Sequence, residues 1–338
     1  MQNLMRILVV ILCVFLGIIN LNAQDIHFSQ FIYSPLSLNP AHTGNFDGNW
    51  RFSNNYRNQW SSVGIPFQTI SAGFDKPFRT RRGYVALGFL FLNDRSGSAA
   101  LHINKAGVSF AYHFRLKPGH YLGFGIQGLY AVQQFSLQDL TFPSQFNNLT
   151  GVYDASLPND INQWDENVNY PDINVGVEYR KNDGKMKPFG GVALFHANKP
   201  KVSFLREDNT LNMRVAGNAG INMMLKENLY VEPRLLCMYQ KQASDFVAMA
   251  EFGYLFPLKS TVERVYVGAG LRTALTGYDA LILSGGIGVY HFLVGISYDV
   301  NISNLARVSN LRGGFEVTIV YKDIVKTLNQ ITIPCDRY

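Results

Sequence analysis

The chain has little charge. Asp, Glu, Lys and Arg together make up 16% of its 338 residues, against about 25% in an ordinary soluble domain. Cysteine is nearly absent. Of three, Cys13 lies in an apolar stretch near the start, and Cys237 and Cys335 can form one bridge at most. That excludes a disulfide-stapled scaffold and leaves open whether the two pair. Catalytic signatures are missing as well: there is no nucleophile elbow, no P-loop, no HExxH and no CxxC. The seven histidines are scattered, and His27 and His42 stand too far apart to imply a metal. Asp154, Asp160, Asp165 and Glu166 fall in one stretch, but their spacing matches no calcium loop. The sequence therefore predicts no enzyme, no cofactor and no metal site.

Long apolar runs are also few. The first, Ile7 to Ile19, follows Arg6 and precedes Ala23. It is shorter than the ~20 residues of a spanning helix, so 1–23 reads as a secretory signal peptide cleaved after Ala23. The second, ALILSGGIGVYHFLVGISYD at 280–299, holds four glycines and a central histidine. It reads as two strands around a tight turn near Tyr290 and His291. A lone helix would leave neighbouring strands with open edges, which the hydrocarbon region forbids. An exported chain of this kind meets no nucleic acid.

What is abundant is glycine (30), phenylalanine (24) and tyrosine (18), at a mean hydropathy near zero. These residues alternate. In INKAGVSFAYHFR, Ala106, Val108, Phe110, Tyr112 and Phe114 share one face, and Lys105, Gly107, Ser109, Ala111, His113 and Arg115 share the other. DINVGVEYR sets Ile173, Val175, Val177 and Tyr179 against Asn174, Gly176, Glu178 and Arg180. RVYVGAGLR sets Val265, Val267, Ala269 and Leu271 against Tyr266, Gly268, Gly270 and Arg272. GGFEVTIVYK sets Phe315, Val317, Ile319 and Tyr321 against Glu316, Thr318, Val320 and Lys322. A period of two over about nine residues gives strands long enough to cross a membrane when tilted.

About fourteen such runs begin near Trp50, Pro66, Gly83, Ile103, His120, Asp172, Lys187, Thr210, Glu227, Ser244, Arg264, Gly277, Phe292 and Arg312. The connections after even-numbered runs are short and mostly basic; those at 135–171 and 300–311 are long. That is the pattern of a transmembrane antiparallel β-barrel, with short periplasmic turns and long outer loops. An even strand count places both termini in the periplasm. Two soluble β-sandwich domains would need a linker, and no stretch rich in Pro, Ser or charge divides the chain. The expected organisation is a leader at 1–23, an N-terminal plug or docking segment at 24–49, the barrel at 50–322 and a periplasmic tail at 323–338.

The segment DIHFSQFIYSPLSLNPAHTG, residues 25–44, fits neither leader nor strand. Pro35 and Pro40 each fix φ and remove a donor, which forbids a regular helix, and the stretch is too apolar for a disordered linker. Together with RFSNNYRNQW and FQTISAGFDKPF downstream, and SYDVNISNL, GGFEVTIVYK and PCDRY near the end, it resembles the PorP/SprF family of outer-membrane proteins. The matching N-terminal positions are Phe28, Ser29, Gln30, Phe31, Pro35, Leu38, Asn39, Pro40, Gly44, Asn55, Tyr56, Arg57, Gln59 and Trp60. The C-terminal ones are Tyr298, Asp299, Asn301, Ser303, Gly314, Phe315, Glu316, Pro334 and Cys335. Asp336 and Tyr338 depart from the proline and phenylalanine expected there.

The resemblance implies an outer-membrane barrel of type IX secretion and gliding, without catalysis. Its partners would be secretion ring or translocon proteins, outer-membrane lipid and a secreted surface adhesin. The residues add expectations of their own. Pro35 and Pro40 hold an extended, kinked backbone, and Phe28, Phe31 and Tyr33 anchor it in a pocket. Asn39 before Pro40 favours a turn. The segment lies on the periplasmic side or in the barrel mouth. Arg57, facing a packed lumen, needs a carboxylate, and Glu316 on the neighbouring last strand is the candidate. The alternative function is a porin or transporter for hydrophobic or anionic solutes.

Overall fold

The computed structural model describes residues 27–323 apart from 63, 97–100, 136–142, 148–149, 155, 158–166, 205–207, 242, 258–259 and 276. Fourteen antiparallel strands close into a barrel. They are β1 (Arg51–Gln59), β2 (Phe67–Thr80), β3 (Gly83–Ser96), β4 (Leu101–Lys117) and β5 (His120–Gln134), then β8 (Asn167–Lys181), β9 (Met186–Phe195), β10 (Arg214–Met224), β11 (Leu229–Gln240), β12 (Ala243–Leu255), β13 (Val262–Ala274), β14 (Gly277–Val289), β15 (Phe292–Asn301) and β16 (Arg312–Lys322). Between β5 and β8 a two-residue hairpin, β6 (Phe146–Asn147) with β7 (Val152–Tyr153), stands apart from the wall. Each barrel strand pairs with its sequence neighbours, and β1 closes on β16 from Arg51↔Lys322 to Gln59↔Gly314.

The strands begin within a few residues of the expected positions, the widest gap being β8, which starts at Asn167. The 280–299 stretch is β14 and β15 around Tyr290–His291, with Tyr290 at φ +52°. Among the described residues no helix is long and apolar enough to cross a membrane. The turns after β2, β4, β8, β10, β12 and β14 all lie at one end, here the turn end. The connections 135–166, 196–213 and 302–311 lie at the other, the loop end. The length alternation is not strict, because at the loop end only two residues separate β11 from β12 and β13 from β14.

Alternation sorts the wall as its chemistry requires. Val108 is 64% exposed, Val267 67% and Ile296 53%, all pointing outward. Their neighbours Ser109, Tyr266 and Ser297 are buried. Outward aromatic pairs mark the turn end, with Trp50 stacked on Tyr321 at 4.7 Å and Phe292 edge-on to Tyr321 at 4.8 Å. Such a girdle suits a membrane interface.

The interior is filled by residues 27–46. This segment is a chain of short turns: a 3-10 turn at Phe31–Tyr33, one α-helical turn at Pro35–Leu38 and a 3-10 turn at Pro40–His42. The extended backbone expected around the prolines is thus replaced by helical turns. Each proline takes the first helical position, where its fixed φ is suited and its missing N–H is no loss. Phe31 and Leu38 pack with Phe195, Leu236, Val247 and Ile282 of the wall, while Leu36 packs with Leu90 and Leu129.

The segment's position also differs from expectation. It is not confined to one mouth but runs the height of the barrel. His27 lies beside Asp245 at the loop end of β12, and Asn49 donates its N–H to the Asp323 carbonyl at the turn end.

Candidate functional site

The densest polar assembly lies where this segment meets the closing strands. In β1 the inward parity selects Arg51, Ser53, Asn55 and Arg57, all buried. Arg57 stands directly opposite Glu316 of β16 in the ladder, and the two form a buried ion pair. Arg57 Nη2 also reaches Asp299 of β15 at 2.9 Å, and Arg272 of β13 reaches the same carboxylate at 2.8 Å. Arg272 has a second carboxylate in Asp279.

Ser29 sits at the centre. Its hydroxyl donates to Asp299 at 2.8 Å and accepts from Arg57 at 2.7 Å and Arg272 at 2.9 Å. The N–H groups of Ser29 and Gln30 donate to the two Glu316 oxygens at 2.6 and 2.9 Å. Two guanidinium groups and two buried carboxylates are thereby paired with one another and with the segment, although Asp299 takes all its bonds on Oδ2 and none on Oδ1. Desolvating such ions costs several kcal/mol each, which dense pairing of this kind offsets.

A second tier lies nearer the middle of the barrel. Arg234 clamps Glu251 with two bonds of 2.6 and 2.9 Å, and Tyr33 donates its hydroxyl to Glu251 at 3.0 Å. Tyr266 donates to the Gln30 side chain at 3.1 Å and packs against the Tyr33 ring. On the opposite wall Gln127 donates to the Leu36 carbonyl at 3.0 Å. Asn39 accepts from the Ala41 N–H at 2.9 Å, forming the expected turn, and donates to the Val177 carbonyl at 3.2 Å. Here the wall is glycine-lined by necessity. A Cβ on Gly125 would overlap the Pro40–Ala41 peptide, and one on Gly176 would overlap the Asn39 side chain.

The third tier is at the turn end. Gly44, at φ +72°, donates its N–H to Asp75 at 2.6 Å. Arg51 forks onto Asp75 at 3.0 and 2.7 Å and donates to the His42 carbonyl at 3.1 Å. The chain then leaves the lumen into β1.

Of the residues singled out in the sequence, the structure gathers Phe28, Gln30, Phe31, Pro35, Asn39, Pro40, Arg57, Asp299 and Glu316 inside the barrel. Tyr56 and Tyr298 belong to the outward face, and Trp60 caps the loop end of β1, its N–H donated to the Gly313 carbonyl. Asn301 is buried at the loop end, held by Ser309 and Ser303 rather than by the Ser29 cluster. Pro334 and Cys335 lie outside the described residues, while Cys237 is an exposed free thiol. Arg272, Arg234, Glu251, Asp75 and Gln127 were not singled out. Their signal was available as inward parity on their strands, but parity alone does not tell which inward polar residue meets the segment.

In the long loop Asp154 is bound by the Ser156 hydroxyl and N–H, which hold its carboxyl below the usual range. Asp160, Asp165 and Glu166 lie outside the described residues. Among the described residues no group of three or more potential ligands could hold a metal.

The family model described as "Type IX secretion system membrane protein PorP/SprF" matches residues 20–321. No curated protein matches the sequence. Among solved structures the chain is similar to the deltaS2 mutant of the TodX monoaromatic hydrocarbon channel, at 9% identity and a TM-score of 0.50 over 85% of this chain and 93% of that one. The deltaS2S3 mutant of TodX gives 10% identity and 0.50 over 86% and 94%. The toluene transporter TbuX of Ralstonia pickettii gives 11% identity and 0.49 over 86% and 94%. At these identities the likeness to the two TodX structures is one of barrel fold.

Proposed function

The chain belongs to the PorP/SprF family of type IX secretion system membrane proteins, and on that premise we propose that it is an outer-membrane barrel that acts through protein partners in the export or surface anchoring of secreted proteins such as adhesins. Its partners on this reading are ring or translocon components on the periplasmic side and a secreted protein on the outer side. The observation that carries the reading is the filled lumen. Residues 27–46 are tied to β1, β2, β4, β5, β8, β12, β13, β15 and β16 by hydrogen bonds from both backbone and side chains. A plug bound on every side by wall strands leaves the rims and loops as the working surfaces. The family is one of secretion-system membrane proteins, which favours a non-enzymatic role.

The transporter reading draws on the hydrocarbon channels among the structural neighbours, but at 9–11% identity these speak for fold alone. The deciding experiment is a mild-detergent pull-down of the tagged protein from native outer membranes, with mass spectrometry of the eluate. Recovery of periplasmic ring subunits supports a core role, and recovery of one large adhesin without the ring supports a dedicated one. A barrel that elutes alone, even after crosslinking, overturns the proposal.

A further inference from the structure

The path of residues 27–46 fixes the side of the barrel from which the chain enters. At its start, His27 Nε2 is 3.0 Å from Asp245, the third residue from the loop end of β12, and it shares a cleft with Arg214 and Gln240 at the loop ends of β10 and β11. Ser29 then meets Arg57, Arg272 and Asp299, each near the loop end of its strand. Tyr33 packs with Leu293 and Val320 toward the turn end, and Leu36 with Leu90 and Leu129 at mid-height. Asn39 touches Val177, Gly44 touches Asp75, and Asn49 joins Asp323 at the turn end. The path doubles back once, since Leu38 packs with Phe195 and Met238 near the loop end, but it starts at the loop end and leaves at the turn end, and the wall around it is closed, including the β1–β16 seam.

We propose that the chain is threaded through its own barrel, so that its amino terminus is displayed at the loop-end mouth, outside the cell, while β16 ends at the periplasmic turn end. This departs from the expectation that an even strand count places both termini on one side. With a leader cleaved after Ala23, three residues precede His27. They reach about 10 Å at full extension, well short of the ~25 Å apolar band that such a barrel crosses, so the terminus does not return to the periplasm. Glu316 ties the segment to the seam, since it pairs with Arg57 across it and accepts the N–H groups of Ser29 and Gln30.

The test is accessibility, and it does not depend on the secretion role. An epitope is inserted between Gln24 and Asp25, and in separate variants at Gly151 of the long loop and at Gly184 of a turn. Antibody labelling is compared in intact and permeabilised cells, with heat-modifiable gel mobility reporting the folded barrel. The N-terminal tag is expected to label in intact cells together with the Gly151 tag, and the Gly184 tag only after permeabilisation. Should the insertion block folding, Asp25→Cys in a Cys237→Ser, Cys335→Ser background, probed with a membrane-impermeant maleimide, gives the same readout. An N-terminal reporter that follows Gly184 rather than Gly151 overturns threading.

Discussion

Glu316 joins the closing strand to both its neighbour and the segment in the lumen through one side chain. It has an ion partner in Arg57 on the adjoining strand and two N–H donors from the segment in the lumen. Glu316→Ala leaves Arg57 buried with one carboxylate, Asp299, beside Ser29 and Gln59, and strands two N–H groups. Removing one partner of a buried pair costs about 3–5 kcal/mol, so a large downward shift in the temperature at which the heat-modifiable band unfolds is expected. Replacing both partners, Arg57→Met with Glu316→Met, removes the orphaned charge. The double variant is therefore expected to lose less than the sum of the single ones, a coupling of about 0.5–3 kcal/mol in a thermal or urea double-mutant cycle. Additive losses would mean that the pair contributes nothing beyond its separate contacts. This pair was legible in the sequence because it needs only strand parity and the adjacency of first and last strands. Arg272 shows the limit. Its inward parity was equally visible, but that it shares Asp299 with Arg57 follows from where Ser29 sits, and no local pattern encodes that.

The segment as an element shows the same division. Two prolines, an Asn-Pro step and a terminal glycine marked it as ordered, and the turn at Asn39 formed as that chemistry dictates. Its helical turns were not legible, since a proline suits the first helical position as well as an extended kink. Nor was its direction, because the contacts that set it come from strands more than two hundred residues away. The strands were legible to within a few residues, because a two-residue period that separates lipid from lumen repeats with every hairpin. The glycines of β5 and β8 link the two levels. Gly176→Val, whose side chain would occupy the place of the Asn39 amide, is expected to lift residues 39–41 from the wall without breaking the strand ladder. Hydrogen exchange should then show faster exchange at Ala41, whose N–H is held by the Asn39 side chain, with β8 still protected. Equal exchange in variant and parent would show that the close approach has no energetic weight.

At the scale of the whole molecule, a filled lumen and a conducting lumen are alternatives that can be measured. Fourteen strands enclose enough room for a solute path, as barrels of this class do, and here that room is taken by Phe31, Leu36, Leu38 and the ion tiers above and below them. The parent protein in planar bilayers is therefore expected to show no steady single-channel conductance. Deleting residues 28–44 removes the apolar filling but leaves the wall's carboxylates and guanidinium groups, which water can solvate. A stable ohmic conductance should then appear. The deletion also strips partners from Glu316 and Asp75, so it risks failing to fold. Gly125→Val, which displaces only the Pro40–Ala41 peptide, is the milder variant and should give brief, partial openings. A parent that conducts steadily, with neither variant altering the current, would mean that ions bypass the segment, and the solute-transport reading would displace the partner-binding one.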